Sequence, residues 1–324
     1  MSKSIILKAP GGVENFEIST PSITEAKGNE VTIDQKFISI NYSDILLRTG
    51  VYQADFPLLL GSEGIGVISK ISSENKFPDL KEGMRIAYAT APYGAYTEKR
   101  NIDFKYCVVI PDDIDDLILA GCFSKALTAH YLLRRVVRLR EGQTILVHGA
   151  AGGVGHILCQ MATSHNIKVI GTVNSPDKVS FAQENGCIHV IDTSSTNFVD
   201  ETLKFTNGIG VDVIFDLIGG DFISKSIDCL NYLGIVVSCG DTAGTAPILD
   251  LSKLDKKCAY VTRTRLEVYR FYRLELLIAC EDVFDLIRKG AIKPHVNEYK
   301  FNEIPKAHKD IEQGTKNGSY VVRL

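Results

Sequence analysis

The run Thr144-Ile145-Leu146-Val147-His148 passes without a break into Gly149-Ala150-Ala151-Gly152-Gly153-Val154-Gly155, and a helical pattern follows over 154–165. An apolar strand, a glycine-rich turn and a helix in that order constrain the fold more than any other stretch of the 324 residues. In a dinucleotide fold, Gly152 lets backbone approach a pyrophosphate and Gly155 lets the helix pack on the strand before it. The N–H groups and dipole at the helix start then favour phosphate charge. Ala150 replaces the first glycine of the usual pattern, which suits a less tight turn. The same turn also occurs in α/β proteins with no ligand. A second strand-like run about twenty residues further on, at 169–173, decides for the dinucleotide.

The surrounding texture agrees. Runs of Val, Ile and Leu at Thr144–His148, 169–173, 189–191, 211–217, 235–239 and 259–262 alternate with helical segments. Such near-continuous apolar strands are buried on both faces, as in a parallel sheet covered by helices. Six of them predict a doubly wound α/β domain. Ser175, Pro176 and Gly186 suit the cap, first turn and end of one helix, and Asp221 and Gly234 frame the next. Before residue 115 the chain is turn-rich, with short β-prone runs at 5–7, 31–33, 37–40, Gly64–Ile71, 85–89 and 106–110, and reads as a β-rich domain. A long apolar helix is expected over 117–139. After 265 a long mixed helix to about residue 289 and strand-like pieces near Val296 and at 320–322 read as a tail that rejoins the first domain.

The second strand of the α/β region ends at Gly171-Thr172-Val173-Asn174-Ser175 without the Asp or Glu that commonly binds a ribose 2′-hydroxyl. Asn174 and Ser175 can donate to an anion, and Lys178 adds a positive charge in the first helical turn. A cation there opposes the helix dipole, so it fits best opposite a 2′-phosphate, and hence NADPH. A solvated surface lysine beside a routine serine cap is the simpler alternative.

Composition narrows the function classes. A formal charge of −3 lacks the basic excess of a nucleic-acid binder. No run of eighteen apolar residues exists, and the N-terminus is too short in apolar residues for a secretory signal. The eight cysteines stand singly with no C-x-x-C pair, as expected of reduced, mostly buried thiols in a cytoplasmic protein. In Gly61-Ser62-Glu63-Gly64-Ile65-Gly66 a serine stands where a histidine would make a catalytic metal turn, and a hydroxyl is a poor zinc ligand. The seven histidines are dispersed, so no metal site is expected. Gly-x-Ser-x-Gly is absent, which disfavours a hydrolase.

Several motifs in order resemble the medium-chain dehydrogenase/reductase superfamily, and within it the zinc-free quinone oxidoreductases. They include Ile40-Asn41-Tyr42-Ser43-Asp44, Arg48-Thr49-Gly50-Val51-Tyr52, Gly61 to Gly66, Lys125-Ala126-Leu127-Thr128, Tyr131-Leu132-Leu133-Arg134, the 150–155 turn, Gly171-Thr172-Val173 with Lys178, Tyr260-Val261-Thr262-Arg263 and Gly318-Ser319. The resemblance covers nearly the whole chain. It implies a GroES-like β-rich catalytic domain (1–124), a Rossmann NADPH-binding domain (125–264), and a return to the catalytic domain (265–324), with the active site in the cleft between them. In similar proteins Asn41 and Asp44 sit near the nicotinamide, and Thr128 and Tyr131 line its pocket. Gly152, Gly153 and Val154 meet the pyrophosphate, Asn174, Ser175 and Lys178 the 2′-phosphate, and Gly240 and Asp241 the nicotinamide half. Arg263 is a candidate for the cofactor or substrate mouth; Arg265, Arg270 and Arg273 read as a solvated helix face. Two departures stand out: Thr193 replaces a tyrosine that often packs by the adenosine phosphate, and Leu46 a tyrosine that often borders the nicotinamide.

The implied activity is NADPH-dependent reduction of a quinone by a cytoplasmic homodimer. One alternative is an enal, enone or enoyl-thioester reductase, for which Tyr52 is the candidate acid. Another is a non-catalytic sensor or structural protein that keeps the NADPH site. Asn41, Asp44 and Tyr52 also have plainer readings, as turn, cap and packing residues.

Overall fold

The computed structural model describes residues 2–90, 92–270 and 272–324; the side chain of Arg270, expected on a solvated helix face, lies outside that description. The chain divides into two compact units, one of Met1–Ser124, Arg270–Phe284 and Pro294–Leu324, the other of Lys125–Tyr269 and Asp285–Lys293.

The first unit opens with β1 (Ser4–Leu7), β2 (Phe16–Ser19), β3 (Glu30–Ile40), α1 (Tyr42–Arg48), β4 (Leu58–Leu59), β5 (Gly64–Ile71), β6 (Arg85–Tyr88), β7 (Lys99–Asp103) and β8 (Cys107–Val109). The runs read separately at 31–33 and 37–40 are one strand, β3, which pairs with β5 along its length and with β7 through its first half. The chain leaves this unit inside α2 (Asp116–Tyr131), whose last turns widen into a π-helical segment, Leu132–Val136, so the regular helix stops short of the expected residue 139.

The second unit carries β9 (Thr144–His148), α3 (Gly153–Ser164), β10 (Lys168–Val173), α4 (Val179–Glu184), β11 (Cys187–Asp192), α5 (Phe198–Phe205), β12 (Val211–Asp216), α6 (Phe222–Ser226), β13 (Leu230–Ser238), β14 (Tyr260–Arg263) and α7 (Leu266–Arg270). Its six strands are parallel in the order β11-β10-β9-β12-β13-β14. That is the doubly wound order, with the chain reversing direction between β9 and β12, where ligands of such sheets sit beyond the strand ends. Ile145, Leu146, Val147, Ile170, Ile214, Phe215, Val236 and Val237 are fully buried, which is why these strands lack polar alternation. Gly234 does not end a helix as expected: α6 is five residues long, and Gly234 lies inside β13.

The chain returns through α8 (Arg273–Arg288), β15 (Val296–Lys300), α9 (Ile304–Gln313) and β16 (Ser319–Arg323). β16 pairs antiparallel with β3, and β15 parallel with β16, in the large sheet of the first unit. Arg273 is a correction to the solvated face. Its Nη1 donates to the Lys105 and Cys107 carbonyls at 2.8 and 2.9 Å, and its guanidinium lies over the Phe104 and Phe77 rings. The tail segment is thereby tied to the first unit's core by a half-buried cation.

Candidate active site

The glycine turn is built from backbone contacts that tolerate no side chain. Gly149 has a positive φ of 73°, and its carbonyl accepts from the Gly152 N–H at 2.9 Å. A Cβ on Gly155 would fall 2.1 Å from that carbonyl oxygen, and one on Gly171, in β10 beneath the turn, 2.6 Å from Cys187 Sγ and 2.7 Å from Ala150 Cβ. His156 latches the helix start: its buried ring donates from Nδ1 to the Gly152 carbonyl at 2.8 Å. His148, at the end of β9, sits between the Thr172 and Ser226 hydroxyls at 3.1 and 3.0 Å, and burial lowers its pKa to about 3. It is therefore a neutral structural group.

Gly152 differs from its neighbours. A Cβ there would meet only the Gly149 carbonyl oxygen, at 3.2 Å, so space lies open in front of the first N–H groups of α3. A twelve-residue helix presents its unpaired N–H groups and positive dipole end to that space. These residues fit a pyrophosphate.

The neighbouring strand end gathers the expected cation. Lys178 Nζ donates to Asn174 Oδ1 at 2.8 Å, directly beyond β10. Thr193, beyond β11, turns its hydroxyl inward to the Val173 carbonyl at 3.0 Å. Ser175 donates a hydrogen bond to Asp177, which holds that exposed carboxyl below its usual range. Asp177 is thus an anion beside the lysine that the strand-end pattern did not reveal.

At the ends of β12, β13 and β14 two expected residues meet. Asp241, nearly buried, is paired with Arg263 at 2.5 Å, and Arg263 Nη1 also donates to Ser238 Oγ at 3.1 Å. Gly240 lies so close to the preceding loop that a Cβ would fall 2.0 Å from the Leu217 carbonyl oxygen. Asp216, unflagged by the sequence, anchors that loop: it accepts the Ile218 and Gly219 N–H groups at 2.9 Å, and burial raises its pKa. In α2, Tyr131 bonds Thr264 Oγ1 at 2.8 Å and stacks on Tyr269, and Thr128 lies half-buried one turn earlier.

In the first unit, Asn41 caps α1. Its backbone N–H donates to Asp44 Oδ2 at 2.9 Å, so Asp44 acts in a capping box. Asp44 is fully buried; the same oxygen accepts from the Tyr96 hydroxyl at 3.1 Å, and Tyr96 in turn meets His308 Nε2 at 2.8 Å. The Asn41 side chain donates from Nδ2 to Glu63 Oε2 at 2.7 Å. Tyr52 is half-buried against the hydrophobic core of the same unit. Ser62 is nearly buried, and among the described residues no three His, Cys, Asp or Glu side chains form a metal-binding group.

A doubly wound parallel sheet with an open glycine turn, in one chain with a β-rich unit, defines the dinucleotide-binding dehydrogenase/reductase class. The family models agree: residues 27–141 match the alcohol dehydrogenase GroES-like domain, and 153–278 the zinc-binding dehydrogenase domain. A quinone oxidoreductase of Pseudomonas aeruginosa is 36% identical over 99% of both chains. A 2-haloacrylate reductase of a Burkholderia species is 30% identical, again over 99% of both. The crystal structure of Escherichia coli quinone oxidoreductase complexed with NADPH superposes with a TM-score of 0.96 at 33% identity, covering 99% of this chain and all of that one. The chain belongs to the quinone oxidoreductases of the medium-chain dehydrogenase/reductase superfamily.

Proposed function

We infer that the chain is an NADPH-dependent quinone reductase that works without zinc. The observation that carries the reading is the corner beyond β10, where Lys178 bonds Asn174 and residues 171–175 include no Asp or Glu, with the exposed Asp177 standing next to the lysine. Full-length likeness to quinone oxidoreductases, one of them solved with NADPH, supports both cofactor and acceptor. The absence of zinc rests on the donor set, since Ser62 offers a hydroxyl and Glu63 is bound to Asn41.

NADPH supplies the hydride when bound, and the protein's part is to bind, orient and exclude water. Gly152, Gly153 and Val154 would hold the pyrophosphate through N–H groups at the start of α3. Asn174, Ser175 and Lys178 would hold the 2′-phosphate, with Thr193 closing that corner. Thr128, Tyr131, Gly240, Asp241 and Arg263 would border the nicotinamide half. Burial pushes the Tyr131 phenol well above its ordinary range, so it contributes shape and a hydrogen bond rather than a proton. Asn41 would orient the reacting pair. Asp44, buried in the capping box, takes part through Asn41. With no exposed acid among these groups, the acceptor's proton comes from water.

The 2-haloacrylate reductase relative gives a second reading substance, reduction of an electron-poor double bond, with Tyr52 as its acid. Oxidation of NADPH by a benzoquinone and by a 2-alkenal, in wild type and Tyr52→Phe, separates the two. The quinone reading expects benzoquinone turnover untouched by the substitution. Alkenal turnover that exceeds it and is lost in Tyr52→Phe replaces that reading with the second. NADPH that binds but is oxidised by neither acceptor marks a binding protein instead.

The assembly is a cytoplasmic homodimer. Its support is β14, an edge strand paired only with β13 among the described residues, with Tyr260 exposed on it and Tyr232 and Leu233 exposed in the part of β13 before their pairing begins. Such an edge is a template for pairing with a second copy, and sedimentation at the mass of a single chain would refute it.

A further inference from the structure

Glu63 is a carboxylate buried in the first unit that the proposed chemistry leaves without a task. It is 1% exposed and precedes β5. Its backbone is fixed by two glycines: Gly61 has a positive φ of 84°, and a Cβ on Gly64 would fall 2.5 Å from Gln35 Oε1 and 2.7 Å from the Tyr88 hydroxyl. Antiparallel pairing sets Gly64 opposite Ile38, so Glu63 lies opposite Ser39, whose N–H donates to its carbonyl at 3.4 Å, a diagonal step from Asn41 two residues further along. From α2, Ser124 closes on the same carboxylate, its hydroxyl donating to Oε2 at 2.6 Å and its backbone N–H to Oε1 at 2.9 Å. The Ser39 hydroxyl holds that helix in place by donating to the Ala120 carbonyl, one turn before Ser124.

The chemistry of the pair has one consequence. An ionised carboxylate only accepts, whereas an amide accepts at Oδ1 and donates at Nδ2. Asn41 can face Glu63 only with Nδ2, so the carboxylate sets which way round the amide stands. The capping box and the Ser124 hydroxyl, 3.4 Å from Asn41 Oδ1, favour the same orientation, and a neutral residue in place of Glu63 leaves it to them alone.

We propose that Glu63 is a positioning residue for hydride transfer: braced by Ser124, it locks the Asn41 amide in one orientation towards the reacting groups. This deepens the reading above and rests on Asn41 meeting the nicotinamide or the acceptor. Glu63 itself touches neither. The arrangement thus places a buried charge behind a neutral hydrogen-bonding group, where it fixes geometry without entering the reaction.

A double-mutant cycle tests it, with benzoquinone kcat and the NADPH Kd as readouts. Glu63→Gln keeps the volume and removes the charge. It is expected to lower kcat about tenfold, the scale of a misplaced orienting group, with the NADPH Kd within about twofold of wild type, since the pyrophosphate and 2′-phosphate contacts lie elsewhere. Asn41→Ala is expected to lower kcat at least as much, and the double variant to be no slower than Asn41→Ala alone. Losses that multiply in the double variant overturn the positioning role and leave Asn41 standing. An Asn41→Ala enzyme with wild-type kcat overturns the reading of Asn41, and the proposal with it. Should Glu63→Gln fail to fold, Ser124→Ala removes the hydroxyl that braces Glu63 and also reaches Asn41 Oδ1 at 3.4 Å; a severalfold fall in kcat is expected, and an unchanged kcat overturns the proposal.

Discussion

Lys178 and Asp177 are neighbours of opposite charge beyond β10, and on the proposed reading their balance sets the preference for NADPH over NADH. Lys178 is half-buried and already bonded to Asn174, whereas Asp177 is exposed and held ionised by Ser175. A charge-assisted bond between lysine and phosphate contributes on the order of 1–3 kcal/mol, and solvent screening at this corner favours the lower end. Lys178→Ala should therefore raise the NADPH Kd roughly tenfold and leave the NADH Kd within about twofold. Asp177→Asn should act in the opposite sense, tightening NADPH severalfold, because it removes a like charge from beside the phosphate. Fluorescence titration with both cofactors measures this; equal effects on NADPH and NADH would refute the assignment. Lys178 stands out in the sequence because its helix-start position is electrostatically odd. Glu63 does not, since its partners Asn41 and Ser124 lie 22 and 61 residues away, and strand pairing with the packing of α2 brings them together.

At the scale of the element, the β9–α3 turn contains glycines required for two different reasons. Gly155 is a packing glycine, because its missing Cβ leaves room for the Gly149 carbonyl 2.1 Å away. Gly152 is an open glycine, because a Cβ there would find space apart from one contact at 3.2 Å, and on the proposed reading that space takes the pyrophosphate. Overpacking against rigid backbone costs about 1–3 kcal/mol or more, so Gly155→Ala should lower the unfolding midpoint and weaken NADPH binding together. Gly152→Ala should keep the wild-type midpoint within a few degrees, since the added stress is below about 1 kcal/mol, yet lose at least tenfold in NADPH affinity by blocking the approach of the pyrophosphate. Thermal unfolding with and without NADPH distinguishes them, and identical behaviour of the two variants would remove the distinction. The spacing of these glycines was readable, since strand and helix periods bracket them. The His156 latch was not, because a lone histidine on a helix carries no sign of its carbonyl partner. α9 escaped notice as well: its buried positions Ile304, Ala307 and His308 keep a helical spacing, but Pro305 and Gly314 at its ends read as loop punctuation.

Across the whole molecule, each unit buries a neutral histidine, and together they shape how stability depends on pH. His148 in the second unit and His308 in the first are both lowered to about 3, chiefly by burial. In the unfolded chain each titrates near its ordinary value of 6.5. Below that pH the unfolded state takes up protons that the folded state refuses, so stability falls as pH drops from 6.5 towards 3. Each histidine adds a slope of up to about 1.4 kcal/mol per pH unit over that window. The alkaline side is governed by buried acids: Cys107 and Cys229 are pushed up to about 12 from 9.0, and Tyr88 to about 12 from 10.0, again mainly by burial. Above pH 9 the unfolded chain releases protons that the folded chain keeps, so stability falls there too. The sequence already reads most of the cysteines as buried thiols, whereas only the fold reveals that His148 and His308 are sealed as well. Urea unfolding between pH 4.5 and 10.5 should trace a dome with its top between about 6.5 and 9. His308→Gln, which retains a polar partner for Tyr96 but does not titrate, should flatten the acid limb by one proton's slope and leave the alkaline limb unchanged. An acid limb as steep as that of the wild type would mean that His308 is protonated in the folded protein, and the neutral Tyr96–His308 contact beneath Asp44 would have to be abandoned.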